Sequence, residues 1–181
     1  MTNIDALFRR IDTRLVYPPF LMRWRAVLTD AANEGSVFVA SCGMRWPQDQ
    51  LTDYLKGRET PGVNPRPEKP LGDVVTNARP YRSLHQYGIA GDSIRDGDPE
   101  RPGLQPSWKR SDYAVLARMA EKHGLVSLGP TMHAWPHIEA PIAKHGLTLN
   151  LLQTTMKSAR TPEEGLRRVW ALFDERGVLR A

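Results

Sequence analysis

Apolar residues recur every three or four positions along several segments of the chain and predict amphipathic helices. In residues 20–33, for example, Leu21, Trp24 and Leu28 fall on one helical face. The clearest start signal is Thr161, which precedes a proline and two glutamates in the pattern of a capped helix. Helices are predicted over residues 3–15, 20–33, 47–57, 107–123 and 147–156 and from residue 162 onward.

Short apolar runs that contain β-branched or aromatic residues predict strands between these helices. The predicted strands cover residues 36–41, 88–94, 125–129 and 136–140, with a further short strand at Val74 and Val75. Prolines cluster in residues 57–82 and 96–107, which we predict to be loops. This order of elements predicts an α+β fold in which helices flank a small antiparallel sheet. We expect a single domain over residues 1–181, with a core of about 20–142 and a helical C-terminal extension of about 145–181.

The composition of the chain, with 40% hydrophobic and 25% charged residues among 181, is that of a globular protein. Lysine and arginine exceed aspartate and glutamate by five, and the sequence pI is about 9.6. A basic surface favours a polyanionic partner, either nucleic acid or an anionic bacterial wall, and charge alone does not choose between them. Cys42 is the single cysteine, which excludes an intramolecular disulfide. Its apolar neighbours predict a buried core thiol rather than a nucleophile.

The first 15 residues carry charges throughout and lack the apolar stretch of a secretory signal peptide. No apolar run approaches the roughly 20 residues that a membrane-spanning helix needs. We therefore expect a protein that is made in the cytoplasm and does not insert into a membrane. If it works outside the cell, another factor must release it.

Metal-ligating side chains stand among small residues in the segment SLHQYGIAGD. Zinc accepts imidazole nitrogen and carboxylate oxygen at about 2.0–2.2 Å, so His85 and Asp92, on a loop and on the following strand, can share one ion. Gly88 permits a tight turn between them, and the small residues Ala90 and Gly91 are expected to leave room near the metal.

A catalytic zinc also needs a third ligand and a place for water. His137, at the start of a predicted strand, is a candidate for that ligand. On spacing alone, the alternative interpretation is that these are hydrogen-bonding surface residues.

The same segment resembles the pattern S-x-H-x-x-G-x-A-x-D of the D-Ala-D-Ala metallopeptidase family, also known as LAS-type zinc peptidases. That family includes D,D-dipeptidases, D,D-carboxypeptidases and the L-alanoyl-D-glutamate endopeptidases that serve as phage endolysins. Two flanking motifs of the endolysin members, Q-x-x-L-Y-x-x-G-R-x-x-P-G and V-T-N-A, resemble residues 50–62 and 75–78 of this chain. The resemblance covers about residues 36–140.

The resemblance implies Zn²⁺ as the cofactor, with His85, Asp92 and His137 as its ligands. It also implies that Arg45 steadies a substrate carboxylate or the developing oxyanion, a task that suits a permanent and bidentate charge. Ser83 is implied to bond near the substrate or the metal-binding loop. The alternative roles are an ordinary surface arginine at position 45 and a local turn cap at position 83.

Ala134 departs from the family pattern, because the position three residues before the final histidine ligand normally holds an Asp or Glu general base. General base catalysis typically raises the reaction rate about 10²–10⁴-fold, so the loss of this base should leave the enzyme nearly inactive. Three interpretations follow: an engineered inactive variant, a natural binding protein that kept the zinc site, or a neighbour, His133 or Glu139, that took over the proton. We favour the first, because the rest of the site is intact. Glu139 could instead orient His137 by a hydrogen bond.

These features predict a zinc-dependent hydrolase of peptidoglycan stem peptides that is similar to an endolysin. It would act as an L-Ala-D-Glu endopeptidase, which the flanking motifs favour, or as a D,D-carboxypeptidase. We expect a monomer that meets peptidoglycan peptides after phage or prophage lysis.

Two other functions are open. One is a non-catalytic cell-wall-binding protein that retains zinc, and the other is a basic nucleic-acid-binding module. The second is disfavoured, since no nucleic-acid motif is present and the basic residues are spread along the chain. Examples are Arg9, Arg10, Arg167 and Arg168.

Overall fold

The computed structural model describes residues 3–132 and 134–180. Its longest helix, α2 (Pro18–Asn33), forms where the sequence predicts a helix over residues 20–33. Proline at its first position suits a helix start, because the missing N–H would have no partner there. The helix buries Phe20, Trp24 and Leu28 completely, so its apolar face lies at the centre of the molecule.

The segment before α2 is broken, and the prediction of one continuous helix over residues 3–15 is wrong. Helix α1 (Ile4–Leu7) is short, and a separate 3-10 helix follows at Thr13–Leu15. The carboxylate of Asp12 accepts a hydrogen bond from the backbone N–H of Arg14 at 3.0 Å. Asp12 therefore caps a new turn, as short polar side chains do in competition with a continuing helix.

Five strands form one antiparallel sheet, which confirms the predicted α+β class. The order is β1-β2-β5-β4, and β3 pairs with β2 beyond that path. The strands are β1 (Phe38–Cys42), β2 (Ala90–Asp96), β3 (Pro106–Ser107), β4 (Val126–Ser127) and β5 (His137–Glu139). Strand β2 pairs with β1 and with β5, so its residues lie at the centre of the sheet.

Helices surround this sheet. They are α3 (Pro47–Leu55), α4 (Ala114–Lys122), α5 (Gly129–Met132), α6 (Leu149–Lys157) and α7 (Pro162–Glu175), with 3-10 helices at Leu84–Tyr87, Arg110–Tyr113 and Ile142–His145. The predicted helix over residues 107–123 is too long, because its first residue belongs to β3 and a 3-10 turn precedes α4. The predicted loop at residues 57–82 is confirmed. The prediction of a short strand at Val74 and Val75 is wrong, because both residues lie in that loop outside any strand.

The C-terminal helices complete the core instead of standing apart from it. Val169 and Phe173 of α7 are fully buried in the cluster that contains α2. The hydroxyl of Tyr17 donates to Asp174 at 2.6 Å, and the indole N–H of Trp170 donates to the carbonyl of Tyr87 at 2.9 Å. Helix α7 therefore supports the 3-10 helix Leu84–Tyr87 from behind.

Gly91 gives Trp24 its space in the core. A Cβ atom on Gly91 would overlap the Trp24 ring, and the Trp24 indole N–H donates to the neighbouring Ser93 hydroxyl at 2.9 Å. Strand residues alternate between faces, so Gly91 points away from the face that carries Asp92. The expectation that Gly91 leaves room near the metal is therefore wrong, because it makes room for a core side chain.

Among residues 3–132 and 134–180, the helices are all too short or too polar to cross a membrane.

Candidate metal centre

Three elements bring His85, Asp92 and His137 together. His85 lies on the 3-10 helix Leu84–Tyr87, and Gly88 ends that helix in the left-handed conformation (φ 69°). The chain then enters β2, which carries Asp92 at its third position. His137 is the first residue of β5 and is the direct cross-strand partner of Asp92. The turn at Gly88 and the sheet register thus aim all three side chains at one point.

The three inward-facing atoms form a nearly regular triangle. The His85 Nε2 atom lies 3.4 Å from Asp92 Oδ1 and 3.2 Å from His137 Nδ1, and the latter two atoms are 3.0 Å apart. Ligand atoms 2.0–2.2 Å from a tetrahedral zinc are about 3.3–3.6 Å apart. The side chains therefore need to move by only a few tenths of an ångström to hold such an ion.

The outer atom of each imidazole ring has its own hydrogen-bond partner. His85 Nδ1 lies 2.7 Å from the carbonyl oxygen of Gly43, and His137 Nε2 lies 2.9 Å from Glu139 Oε2. Both partners are acceptors, so each outer nitrogen carries the proton and donates it. The lone pair of each ring then points into the triangle, as in zinc sites where a carbonyl or carboxylate fixes the tautomer of a histidine ligand.

The triangle favours a positive charge between its members. Burial disfavours the charge of Asp92, but His85 and His137 outweigh that effect and hold the pKa of the carboxyl far below 3.8. Burial would likewise lower the pKa of His85, but Asp92 raises that pKa to about 10. The pKa of His137 is also raised, because hydrogen bonds to Asp92 and Glu139 outweigh burial. A proton held between these groups has the sign of charge that a metal ion would supply.

Cys42 also borders the centre, and the prediction of a buried core thiol is wrong. It ends β1 in register with Asp92 and is half-buried. Cys42, His85 and Asp92 form a group that could hold a metal ion, with ligand atoms within 4.8 Å of one another. The Cys42 Sγ atom lies 3.9 Å from the outer Nδ1 of His85, which already faces Gly43. Cys42 thus approaches the outer side of that ring, whereas His137 lies 3.2 Å from its inner nitrogen.

The pKa of the Cys42 thiol is lowered from its ordinary value. Burial raises it, but this effect is outweighed by the nearby His85 ring and the Arg45 guanidinium. Arg45 Nη2 donates to Cys42 Sγ at 3.2 Å. No motif in the sequence indicates this contact, which joins residues three positions apart.

A groove of about 860 Å³ lies over the triangle. Arg45 and Ser83 line it together with His85, Asp92 and His137, so the structure gathers all five residues on one surface. Ser83 precedes the 3-10 helix, and its backbone N–H donates to the Gln86 side chain at 3.3 Å. The exposed apolar side chains along the groove are Val74, Val75, Trp108 and Met132.

Ala134 and Glu139 lie on the same groove but differ in their chemistry. The methyl group of Ala134 cannot accept a proton, and its carbonyl accepts the backbone N–H of His137 at 3.0 Å. Glu139 is engaged by the outer nitrogen of His137, which suits an orienting partner of that ring. His133 lies outside the described residues.

Neither a protein-family model nor a curated protein matches this chain. Among solved structures, the chain is similar to the crystal structure of the Serratia marcescens L-Ala D-Glu endopeptidase ChiX. The sequence identity is 20%, the TM-score is 0.48, and the similarity covers 75% of this chain and 88% of that chain.

Proposed function

We propose that the chain is a zinc-dependent hydrolase of peptidoglycan stem peptides, with His85, Asp92 and His137 as the zinc ligands. The observation that carries this proposal is the triangle of two nitrogens and one oxygen at 3.0–3.4 Å. Both imidazole lone pairs face its centre, because the outer nitrogens donate to Gly43 and Glu139. Two imidazole lone pairs and a carboxylate oxygen that face one another repel, and a cation between them removes that repulsion.

Zinc at such a centre acts as a Lewis acid on a carbonyl group and lowers the pKa of a water molecule to about 7. The protein's own groups would then position the peptide. Arg45 lines the groove, and its guanidinium can donate two parallel hydrogen bonds to a substrate carboxylate. Glu139 keeps His137 in the correct tautomer and ring orientation. The open groove leaves an extended peptide free to lie across the site.

Stem peptides are proposed as the substrate class because of the sequence motifs. The segment SLHQYGIAGD resembles the family pattern at each of its five fixed positions, and the flanking motifs resemble those of the L-alanoyl-D-glutamate endopeptidases. A net charge of +5 favours contact with an anionic wall. We therefore propose cleavage within the stem peptide, at the L-Ala-D-Glu bond, in preference to its D-Ala-D-Ala end.

A second candidate function follows from Ala134. With no carboxylate at this position, the groove can hold a peptide and a metal but lacks the usual group to move a proton. The chain would then be a wall-binding protein that retains zinc. The two candidates share ligands and substrate and differ in turnover.

Digestion of purified muropeptides tests both candidates. The native chain is incubated with zinc or with a chelator, beside His85→Ala as the matched variant, and products are identified by mass spectrometry. We expect slow, zinc-dependent appearance of fragments that begin with D-Glu. Release of D-Ala or D-Ala-D-Ala would contradict the bond assignment. Zinc-dependent binding without any product would select the wall-binding function, and the lack of both zinc and peptide binding would exclude the two together.

A further inference from the structure

Gln50 is a fully buried polar residue that connects two parts of the groove. It lies on α3, and none of its side chain reaches solvent. Its Oε1 atom accepts a hydrogen bond from Arg45 Nη1 at 3.2 Å. Its Nε2 atom donates to the carbonyl of Ala78 at 2.7 Å and lies 3.4 Å from the Thr76 hydroxyl. One carboxamide therefore joins the groove arginine to the loop segment 76–78.

The segment 76–78 forms one wall of the groove and is held a second time by Arg58. Arg58 Nη1 donates to the Thr76 carbonyl at 2.9 Å, and Nη2 donates to the Asn77 side chain at 2.9 Å. The same guanidinium stacks on the Tyr54 ring at 4.1 Å from its centroid. Helix α3 and the residues after it thus fix this wall from behind, and Gln50 is hydrogen-bonded both to Arg45 and to the wall.

The other partners of Arg45 constrain its direction less than Gln50 does. Asp53 lies 3.5 Å from Nη1, and the Cys42 sulfur lies 3.2 Å from Nη2. A carboxylate at 3.5 Å acts mainly through its charge, and a sulfur atom is a weak acceptor. A buried amide oxygen with a fixed second bond gives the guanidinium a defined position, since the amide cannot rotate without losing Ala78.

We propose that Gln50 is a positioning residue. It holds Arg45 against the 76–78 wall, so that the Arg45 guanidinium faces the groove in one orientation. Gln50 would not touch the substrate. The part of this proposal that concerns peptide affinity rests on the proposed function, whereas the position of Arg45 and the order of the wall are properties of the protein itself.

The test compares Gln50→Leu, which removes both polar atoms, with Gln50→Glu, which keeps the acceptor for Arg45 but loses the donor to Ala78. Gln48→Leu, an exposed position on the same helix, is the matched control. Three quantities are measured on the zinc-loaded full chain. They are the labelling of Arg45 by phenylglyoxal relative to the exposed Arg14, the hydrogen exchange of amides 76–78, and the Kd for a stem tripeptide.

In Gln50→Leu, we expect Arg45 labelling and the peptide Kd each to rise at least about tenfold, which is the size of one lost hydrogen bond to a charged group. Amide exchange at 76–78 should also rise, while zinc content stays at the native level. In Gln50→Glu, labelling should stay near the native value and only the exchange should rise. If Gln50 had only a structural role, both variants would lower the melting temperature, and Arg45 labelling and amide exchange at 76–78 would change together.

Native labelling of Arg45 in Gln50→Leu would overturn the proposal. If that variant does not fold, native amide exchange at 76–78 in Gln50→Glu would overturn it equally. If the native chain binds no stem peptide, the proposed function is contradicted. Arg45 labelling and amide exchange at 76–78 would still decide the role of Gln50.

Discussion

Asp92 and His137 are direct partners across the antiparallel strands β2 and β5, with Oδ1 and Nδ1 3.0 Å apart. They are 45 residues apart in the chain, and the sheet register alone brings them together. A slip of one residue in this register would move either side chain to the opposite face of the sheet. The candidate metal centre therefore depends on the same strand pairing that builds the core.

We predict one zinc ion per chain, measured by elemental analysis of the purified and reconstituted protein. His85→Ala, Asp92→Ala and His137→Ala should each abolish or greatly weaken zinc binding, because each leaves two of the three protein ligands. Asp98→Ala, an exposed carboxylate just beyond β2, serves as the control and should bind zinc normally. If His137→Ala keeps zinc while Cys42→Ala loses it, the ion is held by the Cys42, His85 and Asp92 group instead.

Glu139→Gln should weaken zinc binding about 10–100-fold without abolishing it, the usual cost of losing a hydrogen-bond partner behind a histidine ligand. The reason is that the neutral amide orients the His137 ring less firmly than the carboxylate 2.9 Å away. Competition with a chelator of known affinity measures the change, and Glu121→Gln on the exposed face of α4 is the matched control. Unchanged zinc affinity with lost turnover would instead make Glu139 the proton-transferring group.

The metal-free protein should lose stability as the pH rises from about 6.5 toward 10. The pKa of His85 is raised from 6.5 to about 10 in the folded state. Its stabilising contribution is therefore complete below pH 6.5 and is lost as the pH rises through the folded-state pKa. Asp92 acts in the opposite sense, since its pKa is lowered from 3.8 and its contribution disappears as the pH falls through the folded value. The cluster therefore stabilises the metal-free protein most between pH 3.8 and 6.5.

Zinc should reverse this trend, because binding requires the proton on His85 to leave. The difference in melting temperature between zinc-loaded and metal-free protein should grow from pH 6 to pH 9. His85→Ala gives the baseline for titration elsewhere in the chain. A metal-free melting temperature that is constant over this range would show that His85 is already neutral in the fold.

Gly91→Ala should destabilise the protein by about 1–3 kcal/mol, the usual cost of overpacking a filled core. The added methyl group would overlap the ring of Trp24, which is fully buried and cannot move aside cheaply. Thermal unfolding measures the effect, at about 2–4 °C per kcal/mol for a chain of this size. Gly97→Ala is the control, since a Cβ there meets nothing closer than 3.4 Å. Equal melting temperatures for the two variants would refute the packing argument.

Much of the fold was predictable from local signals in the sequence. Thr161 caps α7 as expected, with its side chain accepting from the backbone N–H of Glu164 at 3.1 Å. Apolar spacing does not predict the break at Asp12, because the spacing of residues 3–15 continues across it. Periodicity records which face is buried and carries no information about a side chain that caps a new turn.

The environment of the site was less predictable than its candidate ligands. His85 and Asp92 share one motif, but Cys42 joins them through the pairing of β1 with β2. The motif suggests that Gly91 makes space for a metal, but its neighbour is Trp24, 67 positions earlier in the sequence. Such contacts between distant segments depend on strand register and side-chain orientation, which a motif does not encode.

Ala134→Asp and Ala134→Glu should raise hydrolysis of stem peptides by about 10²–10⁴-fold. The carbonyl of Ala134 accepts the backbone N–H of His137 at 3.0 Å, so a new carboxylate would start from a backbone position that is tied to a proposed ligand. It could take a proton from the attacking water and deliver it to the departing amine. Muropeptide digestion at equal zinc occupancy measures the gain, and Ala143→Asp, an exposed alanine, controls for the added charge.

Zinc affinity should stay nearly constant in the Ala134 variants, because the three proposed ligands and their outer hydrogen bonds are untouched. A gain in turnover without a gain in zinc binding would assign the deficit to proton transfer alone. The opposite result is equally informative. If the native chain is fully active and His133→Ala removes that activity while zinc remains bound, a neighbouring histidine moves the proton. Position 134 would then be free to hold alanine in a working enzyme, and neither the wall-binding function nor an inactivated variant would be needed to explain it.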